Sequence, residues 1–393
     1  MKLKIKLDSI LLVGLFIYMN GLLTFLSSYY STIGRCCYAV GLAIIFMGSI
    51  KKLNYISTNK MIIWYALFFL IMLISTLYAV NPGRSQQMLF YVASFQLPAI
   101  IGVGFYCTSN DKMDKLMFAY ILASIILALI VLHDGPMSIK NMRYGWSTTG
   151  EQPNTPALNL GAAFAFAFYF FVSKKEIKTK VFYGALMALF VATILLTGSR
   201  KMVIYIVGII ALYSLYKSKN IKKTMLYISA FLFIILIGYL LLTKNDYLYN
   251  AIGYRIFTDQ STEYSSAERT VLKNEAIQYY LQSPIWGNGM NSYQEISSLG
   301  RYAHNNYLEL LNGAGIFAIT AYYGYFLVML KRLWKQRQIE KNFLFFVILA
   351  MTMLIELYNV NYLQRGIYII YTMVYCQYVF ARKNSCEIEK ESE

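Results

Sequence analysis

Arg269 and Lys273 stand four residues apart in a run that reads as a helix, so their side chains share one face. Ser265, followed three residues later by Glu268, has the form of a capping box; the helix-forming run extends to about Gln282, and Pro284 stops it. Free amides and the positive end of the helix dipole favour an anion at the start of such a helix. Downstream lies His304, one of two histidines in the chain, with Asn305 and Asn306 beside it and Glu309 one turn further on. Imidazole is the side chain whose unperturbed pKa, about 6.5, falls near neutrality. The plainer alternative is a water-exposed residue at a helix start. Upstream, Thr197-Gly198-Ser199-Arg200-Lys201 is a tight turn that delivers Arg200 to the start of a helix close to hydrocarbon. An unpaired cation there is costly and points to function, with simple snorkelling as the alternative. Asn154 lies between Pro153 and Pro156, which stiffen the mouth of the following apolar segment.

These residues are carried by a membrane protein. Of 393 residues, 58% are hydrophobic and only 14% charged, so the bilayer rather than a water-excluding globular core is the main solvent. Twelve segments are long enough, or nearly so, to cross it as helices: approximately 10–27, 33–50, 61–79, 88–107, 116–132, 157–172, 181–196, 202–216, 224–242, 308–330, 342–357 and 366–381. The chain therefore reads as an all-α integral membrane protein. Residues 1–242 supply nine spans, 243–307 a large loop, 308–381 three more spans, and 382–393 a tail. The basic N-terminus before an apolar run resembles a secretory signal, but no small-residue cleavage site follows, so it reads as a retained first span.

The net charge of +17 is accounted for by orientation in the bilayer rather than by nucleic acid. With the N-terminus inside, inner loops hold 24 of the 36 cations, which places both termini in the cytoplasm. Of these inner cations 21 are lysine, whereas eight of the 12 outer ones are arginine: Arg35, Arg84, Arg143, Arg200, Arg255, Arg269, Arg301 and Arg365. Topology needs only positive charge, while a guanidinium offers bidentate geometry to phosphate, so the outer face looks built to hold an oxyanion. Arginine's better tolerance of interfacial burial is the alternative. The loop of roughly sixty residues is far longer than packed helices need. Its many aromatics argue for an ordered active-site cap, although an interfacial aromatic belt explains most of them equally well. The five cysteines show neither a disulfide framework nor metal-ligand spacing, and no cofactor or metal is expected.

In order along the chain, Thr197-Gly198-Ser199-Arg200, the Arg269 helix, Ser283-Pro284-Ile285-Trp286-Gly287-Asn288-Gly289, and His304-Asn305-Asn306-Tyr307 running to Gly315 resemble the O-antigen ligase and Wzy-type polymerase family. Ten residues separate His304 from Gly315, a spacing shared with the family's ligases, and Gln152-Pro153-Asn154 is similar to a family loop. The strong resemblance covers about Thr197 to Gly324; the region from Glu356 to Arg365 adds nothing to it.

The resemblance implies a GT-C-type glycosyltransferase using lipid-linked sugars on the outer face of the bacterial cell membrane. Arg200 and Arg269 would grip the pyrophosphate of an undecaprenyl-diphosphate-linked glycan, and His304 would be the general base toward the acceptor hydroxyl. Lys273, Arg301, Asn305, Asn154 and Glu309 are expected to line the substrate site. Fixed cations in place of a metal would take up the charge of the leaving diphosphate, and direct displacement would invert the anomeric carbon. A flippase and a chain-length regulator of the same pathway are the expected protein partners. A repeat-unit polymerase is favoured over a ligase that uses a lipid or protein acceptor. A lipid-oligosaccharide flippase is disfavoured because the polar residues collect at one surface rather than at mid-membrane.

Overall fold

The computed structural model of the protein describes residues 2–23, 31–49, 59–136, 144, 153–218, isolated residues between 221 and 236, and 264–391. Among them every regular element is helical, and the one pairing of extended backbone is an isolated bridge from Pro136 to Tyr144. The helices are α1 (Lys2–Leu23), α2 (Ser31–Ser49), α3 (Lys60–Ser75), α4 (Pro82–Tyr106), α5 (Asn110–Asp134), α6 (Asn154–Ser173) and α7 (Ile177–Leu196). They are followed by α8 (Arg200–Ser218), α9 (Tyr264–Gln282), α10 (Ser292–Ile296), α11 (Asn306–Lys335), α12 (Glu340–Ile355) and α13 (Ile367–Glu391). Short 3-10 turns extend α3 over Thr76–Tyr78 and α12 over Glu356–Tyr358.

Eight of these helices, α2 to α7, α11 and α12, are long and apolar enough to cross a membrane. Helices α1, α8 and α13 cover three more of the twelve expected segments with more charge or a shorter apolar stretch. The segment 224–242 lies mostly outside the described residues, as do Arg143, Arg255 and the loop before Tyr264.

The chain divides into two compact units. The first comprises Met1–Ile50, Tyr106–Thr258 and Gln338–Met351; the second comprises Lys51–Phe105, Asp259–Arg337 and Thr352–Glu393. In the first unit α1 packs along α2 and α5, and α6 along α5, α7 and α8. Charged side chains at helix ends are paired rather than left in hydrocarbon: Lys112 with Asp8 at 2.6 Å, Lys341 with Asp114 at 2.7 Å, and Lys217 with Glu340. In the second unit α11 packs on α3, α9 and α13. Trp64 of α3 donates its indole N–H to the Ala321 carbonyl of α11. Gln96 of α4 accepts from the Tyr65 hydroxyl at 2.8 Å and donates to the Tyr362 carbonyl at 2.9 Å, which fixes the connection between α12 and α13.

Candidate active site

The segment between α9 and α11 is held by its own small core. Leu272, Ala276, Tyr293 and Ala303 are buried together, with Tyr279, Ile296 and Leu308 packed around them. Polar locks surround this cluster, as buried backbone requires. The Tyr293 hydroxyl donates to the Leu272 carbonyl, the Tyr279 hydroxyl to that of Ile296, and the Asn312 amide to that of Ala276. Helix α9 is thereby bound to the first turns of α11.

This docking fixes the helix that carries Arg269 and Lys273. The Lys273 ammonium lies 4.6 Å from the centre of the Tyr358 ring, a cation–π distance. Burial, and secondarily the charge of Arg269, hold its pKa below the ordinary lysine value. Arg269 and Lys273 stand one turn apart on α9, as their spacing predicts. Three other arginines of this unit that the sequence assigns to the outer face are already engaged. Arg84 pairs with Glu295, Arg301 pairs with Glu268 at 2.9 Å, and Arg365 lies 4.8 Å from the Tyr91 ring centre and 5.0 Å from that of Phe95. Among the described residues no carboxylate forms an ion pair with Arg269 or Lys273. Helix α9 is described from Tyr264 onward, with Ser265 within it, and the Glu268 carboxylate pairs with Arg301. Local spacing could suggest the cap but not the stronger charged partner brought by the fold.

The turn after α9 explains the glycine at the far end of the His304 motif. Helix α11 breaks at Ala314 and Gly315, where Gly315 has φ +60° and ψ −145°, a conformation essentially confined to glycine. The Pro284–Ile285 backbone lies against this break so closely that a Cβ on Gly315 would sit 2.1 Å from the Ile285 carbonyl oxygen. The broken helix finds its hydrogen bonds in the turn. Ile316 N donates to Pro284 O at 3.2 Å, and Asn288 N donates to Asn312 O at 2.6 Å. The other side of the turn is pinned to the α3–α4 connection: the Tyr78 hydroxyl donates to Trp286 O, Met290 N to Ser75 Oγ, and Val80 N to Ser292 Oγ.

His304 precedes α11 in the left-handed region at φ +53°, uncommon for a residue with a side chain, and its ring lies against Tyr302 with centroids 4.2 Å apart. Its neighbours hold it there. Asn305 is the N-cap and accepts from Leu308 N at 3.1 Å. The Glu309 carboxylate, buried, accepts from Ala303 N. Asn306, fully buried, accepts from Asn361 N at 2.8 Å and Tyr362 N at 2.9 Å, and donates to the Tyr323 hydroxyl at 2.9 Å. Tyr323 in turn donates to Glu356 at 2.6 Å, and the same carboxylate accepts from Tyr371 and, at 3.3 Å, Tyr322. Glu356 is absent from the sequence candidates, although an ionisable residue inside an apolar segment is the signal that could have found it.

In the first unit Asn154 opens α6 and Arg200 opens α8, and Ser199 Oγ donates to Asn154 Oδ1 at 3.0 Å. The structure thus brings together two sequence candidates 46 residues apart in the chain through the residue before Arg200. The second histidine, His133, ends α5 with Nδ1 3.4 Å from Asp134. In the second unit, the cation pair of α9 and the imidazole before α11 are carried by one packed assembly, which can bind an anion and accept a proton.

Residues 185–323 match a family model, Wzy_C, described as O-antigen ligase. That segment is an O-antigen ligase domain. It takes in Arg200, α9, the Pro284 turn, His304 and Gly315, and its last residue is Tyr323, whose hydroxyl donates to Glu356 beyond it. The domain places the protein among polysaccharide-related membrane enzymes. No curated protein matches the chain.

Proposed function

We propose that the protein polymerises oligosaccharide repeat units carried on undecaprenyl diphosphate, by inverting glycosyl transfer at the outer face of the bacterial cell membrane, with both termini in the cytoplasm. The observation that carries this reading is the docking of α9 on α11, which ties Arg269 and Lys273 to the same package as His304. The acceptor hydroxyl oxygen attacks the anomeric carbon while the bond from that carbon to the diphosphate breaks. His304 takes the hydroxyl proton, and the diphosphate leaves with the bonding electron pair. Arg269 and Lys273 neutralise the charge that develops on it, so that no metal is required. In the first unit Arg200 is the proposed anion-binding residue, with Asn154 held beside it through Ser199. Asn305 and Glu309 position His304, while Arg301 holds the first turns of α9 through Glu268. A flippase and a chain-length regulator are the proposed partners.

The second reading, transfer of a finished glycan to a lipid or protein acceptor, is favoured by the ligase description of the matched family. One experiment separates these. Purified protein is incubated with a synthetic lipid-diphosphate repeat unit, and the products are resolved on a gel. A ladder supports the polymerase. Product only after a separate acceptor is added supports the ligase. Movement across vesicles without a new glycosidic bond supports a flippase and refutes both. His304→Ala should abolish the ladder while insertion is retained, and polymer of normal length from that variant would remove the imidazole from the reaction.

A further inference from the structure

At the opposite end of α11 from His304, a cavity of about 240 Å³ is lined by Val328, Lys331, Arg332, Lys335, Tyr378 and Arg382. Val328, Lys331, Arg332 and Lys335 recur at the spacing that makes one helix face, and Tyr378 and Arg382 are one turn apart on α13. Four of the six are cations, and among the described residues none of the four forms an ion pair with a carboxylate. Cations that merely fix orientation are expected to spread into water; these converge from two helices on one hollow. Arg332 Nη2 donates to the Arg382 carbonyl at 3.4 Å, but its Nε is buried without a hydrogen-bond partner. That donor has no acceptor, while the guanidinium that carries it lines the cavity, where an oxyanion would meet its outer N–H groups.

The depth of the cavity indicates what kind of anion. Beyond the break at Gly315, α11 runs on for 20 residues to Lys335, about 30 Å at 1.5 Å per residue and about the thickness of the hydrocarbon, so its last turn reaches the headgroup layer. Trp334, with the Arg337 guanidinium 4.4 Å from its ring centre, and Tyr378 are side chains suited to that layer. Toward the hydrocarbon the wall continues into exposed Leu327 and Val328, an apolar surface on which an acyl chain can lie.

We infer that this cavity binds the phosphate of an anionic glycerophospholipid from the leaflet remote from His304, with Arg332 and Arg382 on the phosphate oxygens and Lys331 and Lys335 supplying charge. Basic pockets between membrane helices recognise lipid phosphates in this way. The inference does not depend on the glycosyl-transfer reading.

The test uses delipidated full-length protein and native mass spectrometry. Dioleoyl phosphatidylglycerol, dioleoyl phosphatidylcholine and inorganic phosphate are titrated separately. Phosphatidylglycerol should bind in a one-to-one complex that phosphatidylcholine does not form. The double variant Arg332→Gln/Arg382→Gln should weaken it by roughly tenfold or more, given the effect of each cation near a membrane surface. The pair Lys175→Gln/Lys178→Gln removes as much charge from exposed positions elsewhere and should change nothing. Arg332→Lys/Arg382→Lys keeps the charge that orients the chain, so it serves if the glutamine variant fails to insert, and its affinity should also fall because the fork is lost. Equal retention of the two lipids, unchanged affinity in the arginine variants, or an equal loss in the Lys175/Lys178 control would overturn the inference. Inorganic phosphate binding as tightly as phosphatidylglycerol would reduce the cavity to a small-anion site and overturn its assignment to lipid.

Discussion

Replacing Gly315 by alanine tests whether the break in α11 is what holds the candidate site together. The new methyl carbon would lie 2.1 Å from the Ile285 carbonyl oxygen and 2.8 Å from that of Pro284, against about 3.5 Å for a comfortable contact. The turn must therefore retreat by more than about 1 Å. That movement breaks the bonds from Ile316 N to Pro284 O and from Asn288 N to Asn312 O, worth about 1 kcal/mol each. With α11 keeping its course, alanine is in addition held in a glycine conformation at a cost of about 1–3 kcal/mol. The combined loss of roughly 3–5 kcal/mol is smaller than the stability of many folded domains, so the chain should insert while the turn comes loose. Trp286 reports on this directly, because its ring lies against Phe317 with centroids 5.0 Å apart. The assay is tryptophan fluorescence during thermal unfolding of detergent-purified protein, with the product ladder measured beside it. Gly324→Ala is the control: it lies in the same helix, and nothing stands within 4 Å of where its Cβ would be. The control should be neutral or slightly stabilising, whereas Gly315→Ala should melt earlier and lose most activity. If the two variants melt together and both extend chains normally, the break does not have the role assigned to it.

Glu356→Gln replaces an acceptor shared by three phenols with an amide that offers two donors of its own. At least one phenolic hydroxyl loses its acceptor, so the variant should be destabilised by about 1–3 kcal/mol and lose activity; an unchanged melting curve would contradict the network. Arg269→Lys and Arg200→Lys should each lose most chain extension despite keeping charge, and wild-type rates in both would remove the proposed phosphate grip. For Lys273, burial and then Arg269 lower the pKa below 10.5 in the folded protein, so in the window just under that value the unfolded chain holds a proton that the folded one has lost. Stability from this group therefore rises with pH across the window, while diphosphate affinity, which needs the ammonium, falls. The KM for the lipid-diphosphate donor should climb on the alkaline side, and Lys273→Arg should abolish that climb; the same alkaline limb in the variant would exclude Lys273 as its cause.

What was legible in the sequence was mostly local. The end of α9 at Gln282, two residues before Pro284, follows from the ring that cannot continue a helix. The face shared by Arg269 and Lys273 follows from helical spacing alone. Among the described residues, eleven of the apolar segments coincide with helices because a run of that length has few other ways to satisfy its backbone in lipid. The choice of polar partner was not legible. Arg301 and Glu268 are 33 residues apart, and only the fold decides that they pair with one another. Glu356 escaped for the same reason: its three tyrosines look like ordinary helical aromatics until α11, α12 and α13 bring their hydroxyls to one carboxylate.

The spacing from His304 to Gly315 has a physical basis in the short helical segment between them. From Asn306 to Gly313, about two turns, it is fixed at both ends. Asn305 caps its start while Asn306 is locked to Asn361, Tyr362 and Tyr323; at its finish the chain breaks over the Pro284 turn. Between the ends, Glu309 reaches back to Ala303 and Asn312 reaches across to α9. One face of this segment therefore sets the imidazole, and another sets the helix that bears the cations. A rotation that moved His304 would also move Arg269 and Lys273, because both attachments run through the same few turns of backbone. In the glycosyl-transfer reading, the base and the leaving-group clamp must keep their separation to within a fraction of an ångström through the reaction. A rigid segment with a break of fixed position achieves this where a continuous helix, free to slide against the turn, would not. Lengthening the segment by one residue would swing His304 by roughly 100° about the helix axis relative to the break, which is why its length, more than its composition, is what the chemistry constrains.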